Sequence, residues 1–276
     1  MAETTVDYAA ITAAQQQVWS AGDFARVGRM LQLVSENLCE AADVIPGEDV
    51  LDVACGSGNT AIAAARRFAH TTGLDYVPEL LDHARERAKA ELVDEDTTWV
   101  EGDAQQLPFP DKSFDLVMST FGVMFAPDQQ RAADELLRVC RPGGRIALAN
   151  WVPDGMIGEM FMTVSKHAPP PFKIDPPILW GTEDRLRELF GDGISDLKTE
   201  RRHWMQRFPS PEFGLEYMTK WFGPTKMAFA RLAGDEPAQK ALADDLTELA
   251  RRHNMAGDAA VVAPAAYLEV VATRAG

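Results

Sequence analysis

The chain has 276 residues, of which 46% are hydrophobic, 25% charged and 8% aromatic, a composition that excludes an intrinsically disordered or fibrous protein. Its 42 acidic residues outnumber its 27 basic ones, which gives a formal net charge of −15. This charge argues against nucleic acid and anionic membranes as partners, because both are bound mainly through clustered lysine and arginine.

The sequence also argues against export and membrane insertion. No apolar stretch is long enough to cross a membrane, and the first residues, MAETTVDYAAITAAQQQ, lack the basic and apolar regions of a secretory signal. We therefore expect a cytoplasmic protein. The three cysteines, Cys39, Cys55 and Cys140, are far apart and form no CxxC motif or Cys/His cluster. The sequence thus predicts neither a disulfide framework nor a metal site.

Short apolar segments alternate with amphipathic helical segments through the middle of the chain. After an N-terminal helix that Asp23 can cap, the pattern predicts strands over residues 49–54, 70–75, 97–102, 114–120 and 145–151. The helices predicted between them cover residues 57–68, 78–91 and 128–140. Strands and helices that alternate in this way form a parallel sheet with helices on both faces.

Beyond Trp151 the alternation weakens. Helices are predicted over 156–164 and 182–190, and two closing strands over 197–208 and 267–274. The helical stretch 211–253 between the closing strands is too long for a hairpin, so we interpret it as a cap over the ligand edge of the sheet.

The predicted fold class is therefore α/β, with a doubly wound, mostly parallel seven-stranded sheet, N-terminal helices and a helical cap inserted near the C-terminus. We divide the chain into an N-terminal helical cover (1–44), a ligand-binding core (45–151) and an acceptor-side cap with the closing strands (152–276). Trp19 or Phe24 in the cover could lie over a bound ligand or only pack against the sheet.

A glycine-rich turn is the most informative motif. Asp52-Val-Ala-Cys-Gly-Ser-Gly-Asn59 follows a predicted strand and opens a helix, which is the context that a nucleotide-binding turn requires. Gly56 and Gly58 allow a close approach of the backbone to a ligand. Asp75 ends the next strand, where its carboxylate can accept hydrogen bonds from a ribose diol. This pattern alone also fits the GxGxxA form of a nicotinamide-dependent oxidoreductase.

Further features come at the same predicted sheet edge. Glu101-Gly-Asp-Ala104 follows the third strand, and there Asp103 can accept a hydrogen bond from an adenine amino group while the Ala104 N–H donates to the ring. Residues 107–115 and 141–144 lead into the fourth and fifth strands. As a set, these segments resemble the class I S-adenosylmethionine-dependent methyltransferases, specifically the small-molecule branch that includes quinone-biosynthesis enzymes. The resemblance covers about residues 44–151.

The resemblance implies a Rossmann-like methyltransferase fold, S-adenosylmethionine as cofactor, S-adenosylhomocysteine as product, and no metal. The positions carried over are Asp52, Ala54, Gly56 and Gly58 for the methionine part, Asp75 for the ribose, Tyr76 beside the adenine, Asp103 and Ala104 at the adenine edge, and Ser119 near the sulfonium. An acidic cluster also suits a cationic sulfonium and ammonium better than a pyrophosphate.

The predicted function is methyl transfer by direct in-line displacement to a small, apolar or aromatic acceptor. Such a reaction needs alignment and exclusion of water rather than a covalent nucleophile. His167 is the candidate general base, although the reaction can proceed with none. The candidate pocket residues are Trp151, Met156, Met160, Phe161 and Trp180.

Two alternative functions stay open at this point: a nicotinamide-dependent oxidoreductase and a non-catalytic S-adenosylmethionine-binding protein. The sequence after the fourth strand, Ser119-Thr-Phe-Gly122, lacks the Asp/Asn-Pro-Pro-Tyr/Phe signature of enzymes that methylate amide or nucleobase nitrogens. The expected partner is therefore a small-molecule acceptor, with no nucleic acid and no membrane. The accepting atom (O, N, C or S), the acceptor itself and the choice between monomer and homodimer are open.

Overall fold

Seven strands form the centre of the molecule in a computed structural model that describes residues 6–276. Residues 1–5, which the predicted N-terminal cover includes, lie outside the described residues. The strands are β1 (Asp49–Val53), β2 (His70–Asp75), β3 (Thr97–Glu101), β4 (Phe114–Thr120), β5 (Cys140–Trp151), β6 (Ile194–Phe208) and β7 (Val261–Arg274).

The strands form one sheet in the order β3-β2-β1-β4-β5-β7-β6. Pairing is parallel from β3 through β5, and only β7 runs antiparallel to its two neighbours. This confirms the predicted mostly parallel seven-stranded sheet. The strand order reverses between β1 and β4, and the crevice at such a reversal is where open α/β sheets bind ligands.

Helices cover both faces of the sheet. They are α1 (Tyr8–Ser20), α2 (Phe24–Gly28), α3 (Gln32–Ala41), α4 (Asn59–Ala65), α5 (Pro78–Ala90), α6 (Gln129–Val139), α7 (Met156–His167), α8 (Glu183–Phe190), α9 (Pro211–Trp221), α10 (Gly223–Arg231) and α11 (Glu236–His253). None of the helices in the described part of the chain is long and apolar enough to cross a membrane.

Side-chain caps fix where several helices begin. Asp23, Asp128 and Thr182 each accept a hydrogen bond from the backbone N–H three residues further on, which satisfies a donor that the first helical turn leaves unpaired. Several boundaries differ from the prediction: β5 begins at Cys140 rather than at residue 145, and β7 begins at Val261 rather than at residue 267. The single helix predicted after Asp23 is divided into α2, a 3-10 turn at Arg29–Leu31, and α3.

The cap between β6 and β7 consists of three helices, and it touches the N-terminal cover. The extended residue Phe222, followed by Gly223 and Pro224, separates α9 from α10. A Cβ on Gly223 would lie 2.0 Å from the Val18 carbonyl oxygen, so only glycine lets α10 approach α1 this closely. The Asp23 N–H also donates to the Trp221 carbonyl, at 2.9 Å. Cover and cap therefore meet over the ligand edge of the sheet.

Candidate active site

A cavity of about 880 Å³ opens where β1 and β4 end, at the point where the strand order reverses. Its walls come from the turns after β1, β2 and β4, from the segment after β3, and from α1 above. We call it the edge cavity. Of the residues predicted to hold a cofactor, it brings together Asp52, Ala54, Gly56, Asp75, Tyr76, Asp103 and Ala104.

Asp75 holds the glycine turn in place. Its Oδ2 accepts a hydrogen bond from the Gly56 N–H at 2.8 Å, and its Oδ1 accepts one from the Val77 N–H at 2.9 Å. Burial raises the pKa of Asp75 to about 6, while these backbone N–H groups act to lower it. The carboxylate therefore links the turns after β1 and β2, and each of its oxygens keeps a lone pair for a ligand.

The turn after β1 depends on left-handed backbone conformations. Ala54, Gly56 and Gly58 have φ of +54°, +54° and +81°. Ala54 adopts a conformation that costs an alanine free energy, and such strain concentrates at ligand sites. Gly58 does not line the edge cavity; it lies behind the turn, where a Cβ would come within 2.5 Å of the Trp99 ring.

Gly58→Ala is expected to destabilise the fold by about 3 kcal/mol, from the left-handed φ together with overpacking against Trp99. Gly47→Ala is the matched control, because Gly47 has a φ of +84° but no atom within 4 Å of the added Cβ. That variant should lose only about 1 kcal/mol. Urea unfolding of both measures the difference, and equal losses would contradict the role of Trp99.

Asp52 is a buried carboxyl group on the floor of the cavity. Its Oδ2 accepts a hydrogen bond from the Ala61 N–H at 2.9 Å, and its Oδ1 has no partner among residues 6–276. Burial raises the pKa of Asp52 to about 8; the Ala61 N–H opposes this rise and the nearby Asp75 adds to it. An unpartnered carboxylate oxygen in a cavity is suited to a cationic ligand group.

A chain of three hydroxyl groups lies beside Asp52. The Thr60 hydroxyl donates to Ser35 at 3.1 Å and is 2.8 Å from the Thr120 hydroxyl. All three side chains line the edge cavity, so its inner wall is polar, and none of the described residues in its lining is a lysine, arginine or histidine. The sequence analysis missed these residues, because Ser35 comes from α3, far from the glycine turn in the chain.

Gln105, which was not predicted, fixes the position of Asp103. Its side-chain nitrogen lies 3.1 Å and 3.0 Å from the two Asp103 carboxylate oxygens and 2.8 Å from the Thr12 hydroxyl. Its side-chain oxygen, Oε1, accepts a hydrogen bond from the Asp128 N–H at 2.9 Å. Gln105 thus connects the segment after β3 to α1 and to the start of α6.

Helix α1 forms the roof of the edge cavity. Thr12, Gln15 and Trp19 line it from above, and Phe24 from the start of α2 lines it as well. The Gln16 side chain donates a hydrogen bond to the carbonyl oxygen of Tyr76, which ties the roof to the turn after β2.

The structure places Ser119 outside the lining of the edge cavity. This residue is fully buried; its hydroxyl donates to the Val53 carbonyl at 2.7 Å and accepts from the Val123 N–H at 2.9 Å. Successive side chains of a strand point to opposite faces, so Thr120 lines the cavity where Ser119 does not. Phe121 follows with a φ of +57°.

A second cavity of about 500 Å³ adjoins the first, and we call it the apolar compartment. Trp19, Phe24, Leu31, Phe121 and Phe125 line both cavities, and we call these five residues the shared wall. Phe121 stacks on Trp151 with ring centroids 3.7 Å apart. The shared wall therefore separates a cavity whose lining includes carboxylate and hydroxyl groups from one that is almost wholly apolar.

The predicted pocket residues divide into three groups. Trp151, Met160 and Phe161 line the apolar compartment. Met156 instead lines a third cavity of about 510 Å³, the distal compartment, which shares Met160 with the apolar compartment. Trp180 lines none of these three cavities: its side chain is fully buried and packs edge-on against Phe190 of α8, within the core.

The structure does not bring His167 to either the edge cavity or the apolar compartment. His167 ends α7, and its Nε2 is 2.7 Å from Asp245 Oδ2 on α11. This contact ties α7 to α11. In the described residues, no group of three or more His, Cys, Asp or Glu side chains could hold a metal ion.

Comparisons with known proteins identify the family of the chain. A methyltransferase domain profile matches residues 51–148. An uncharacterized protein of Mycobacterium tuberculosis is 39% identical over 241 residues, which are 86% of this chain and 87% of that protein. A ubiquinone/menaquinone biosynthesis C-methyltransferase of a Ruegeria species is 41% identical over 103 residues, 37% of this chain and 41% of that protein. The chain belongs to the class I S-adenosylmethionine-dependent methyltransferases.

A solved structure shows the same fold for this methyltransferase. The YcgJ protein from Bacillus subtilis superposes with a TM-score of 0.62 at 18% identity, over 88% of this chain and 99% of that one. The matched domain, residues 51–148, contains the glycine turn, Asp75 and Asp103. Much of the apolar compartment comes from outside it, including Met160, Trp204 and Met218. The apolar compartment therefore lies largely outside the matched domain.

Proposed function

We propose that the methyltransferase binds S-adenosylmethionine in the edge cavity and methylates a small, apolar or aromatic acceptor in the apolar compartment. The observation that carries this proposal is the shared wall, whose five residues border both cavities. Two ligands on opposite sides of such a wall can bring their reacting atoms together at its edge. Positioning of this kind is the main catalytic requirement of an in-line transfer.

The polar groups of the edge cavity fit S-adenosylmethionine in three parts. The buried carboxyl of Asp52 has an unpartnered oxygen for the cationic methionine end. Asp75, at the end of β2, is placed to accept from the ribose hydroxyls, and Asp103, held by Gln105, from the adenine amino group. We assign Tyr76 and Ala104 to the adenine and Thr120, in place of Ser119, to the neighbourhood of the sulfonium.

The apolar compartment defines the acceptor side of the proposal. Among the described residues, no ionisable side chain lines it, so we propose a transfer without a protein base. When bound, the cofactor supplies a methyl group on a positively charged sulfur. The aromatic wall excludes water from the acceptor, and an apolar surrounding favours a reaction in which charge is lost from that sulfur.

Transfer of labelled methyl groups tests the proposed function. The protein is incubated with methyl-tritiated S-adenosylmethionine and a panel of phenols, naphthols, hydroquinones and fatty acids. We expect label to move into the organic extract with at least one of them. Tight binding of S-adenosylhomocysteine without label transfer to any acceptor would instead favour the non-catalytic alternative.

A further inference from the structure

Gln206 is a polar side chain where the apolar compartment meets the distal compartment. It lies on β6 with only 5% of its surface exposed, and it lines both the apolar and the distal compartments. Trp204 and Phe208 flank it on the same face of the strand. Ala263 and Ala265 of β7 lie opposite Gln206 and Trp204, and these small residues leave room for the cavities.

The carboxamide of Gln206 has no hydrogen-bond partner in the described residues. The indole N–H of the neighbouring Trp204, by contrast, donates to the Met30 carbonyl at 2.8 Å. The residues around Gln206 that line both compartments with it are methionines, Met160 and Met218. An amide that lines a cavity without a protein partner is free to pair with water or with a polar group of a ligand there.

We propose that the Gln206 carboxamide binds an uncharged oxygen, a hydroxyl or a carbonyl, on the acceptor, at the end away from the methylated atom. This inference rests on the proposed function, since it places the acceptor in the apolar compartment. The amide offers both a donor and an acceptor, which such an oxygen can use. No charged side chain among residues 6–276 lines either compartment, so a charged group on the ligand has no counter-ion there.

The position of Gln206 sets the separation between the two ends of the ligand. Phe121 of the shared wall stacks on Trp151, and the Trp151 ring lies 6.2 Å from that of Trp204. Gln206 is two residues further along β6. The acceptor is therefore an elongated or fused-ring molecule whose reacting atom lies at the shared wall and whose polar oxygen lies beyond Trp204.

Equilibrium dialysis with 2-naphthol and naphthalene tests this inference. The two probes differ by one hydroxyl. Each is measured with and without S-adenosylhomocysteine, because a probe that binds in the edge cavity would compete with that ligand. We expect the wild-type protein to bind 2-naphthol about tenfold more tightly than naphthalene, because a site with an unpaired polar group discriminates against a ligand that leaves it unpaired. Gln206→Met, which keeps an unbranched side chain of similar length, should bind both probes equally.

Met218→Leu is the matched control, because it changes the same cavities without changing their polarity; it should keep the preference for 2-naphthol. The thermal unfolding midpoint of Gln206→Met should not fall below that of the wild type, since no internal hydrogen bond is lost. Absence of binding, equal binding in the wild type, a preference that survives Gln206→Met, or its loss in Met218→Leu would each overturn the inference. The proposed function is tested by a different experiment, and it fails if no labelled methyl group is transferred to any acceptor of the panel.

Discussion

Replacing Asp75 with alanine is expected to weaken S-adenosylhomocysteine binding by about 100-fold or more, which corresponds to about 3 kcal/mol. Two losses combine in this variant. The ribose hydroxyls lose their proposed acceptor, and the Gly56 and Val77 N–H groups lose the carboxylate that holds the turns after β1 and β2. A buried N–H left without a partner adds its own penalty. Calorimetric titration measures the change in affinity.

Asp82→Ala is the control for this experiment. Asp82 lies on α5, does not line the edge cavity, and forms an exposed ion pair with Arg85 at 2.7 Å. An exposed pair of this kind contributes little to stability, so the variant should bind S-adenosylhomocysteine as the wild type does. If Asp75→Ala bound as tightly as Asp82→Ala, the assignment of Asp75 to the ribose would be wrong.

The second large effect is a pH dependence that originates at Asp52. Burial raises the pKa of this carboxyl from 3.8 to about 8 in the folded protein. Between these values the folded state keeps a proton that the unfolded state has released, so stability falls as pH rises through this window. The slope that one such group contributes is about 1.4 kcal/mol per pH unit at most. Asp52→Asn should remove this contribution, and its stability relative to the wild type should therefore increase from pH 4 to pH 8.

Cofactor binding should show the opposite dependence at the same residue. If Asp52 pairs with the ammonium of the methionine part, binding favours the charged carboxylate and releases a proton below pH 8. Affinity for S-adenosylhomocysteine should then rise with pH between 6 and 8 in the wild type and much less in Asp52→Asn. Calorimetry in two buffers of different ionisation enthalpy measures the released proton. Affinity independent of pH in the wild type would contradict the pairing.

The sheet and the cofactor side could be predicted from the sequence because their signals are local. The strand before the glycine turn, the turn itself and Asp75 all lie within residues 49–75, and each follows from the conformation its own segment adopts. Helix caps at Asp128 and Thr182 are likewise visible within four residues. Parallel strands then bring their carboxyl ends to one edge without further information.

The differences between the predicted and observed positions of the site residues have another cause. Ser119 and Thr120 are neighbours in the chain but point to opposite faces of β4. A sequence motif locates the end of the strand, but it does not show which of these two side chains faces the cavity. His167 and Trp180 were chosen for their chemistry and size, whereas their placement depends on packing against Asp245 and Phe190. Gln105 acts through contacts with two distant segments, α1 and the start of α6, so no spacing along the chain indicates its role.

The acceptor side could not be predicted in detail because distant segments build it. Its walls combine α2, the turn after β4, α7, β6 and α9, and the shared wall exists only once α1 and α2 lie over the sheet. Gln206 sits in a strand whose other polar residues are mostly exposed, so its sequence context indicates surface. Only the packed structure shows that this one is buried.

The most direct test of this account is a calorimetric titration of the wild-type protein with S-adenosylhomocysteine, with NAD titrated in parallel. We expect saturable binding of S-adenosylhomocysteine and none of NAD, because the edge cavity offers carboxylates rather than cations. Binding of NAD alone would contradict the central claim, and would mean that the glycine turn, Asp75 and Asp103 serve a dinucleotide.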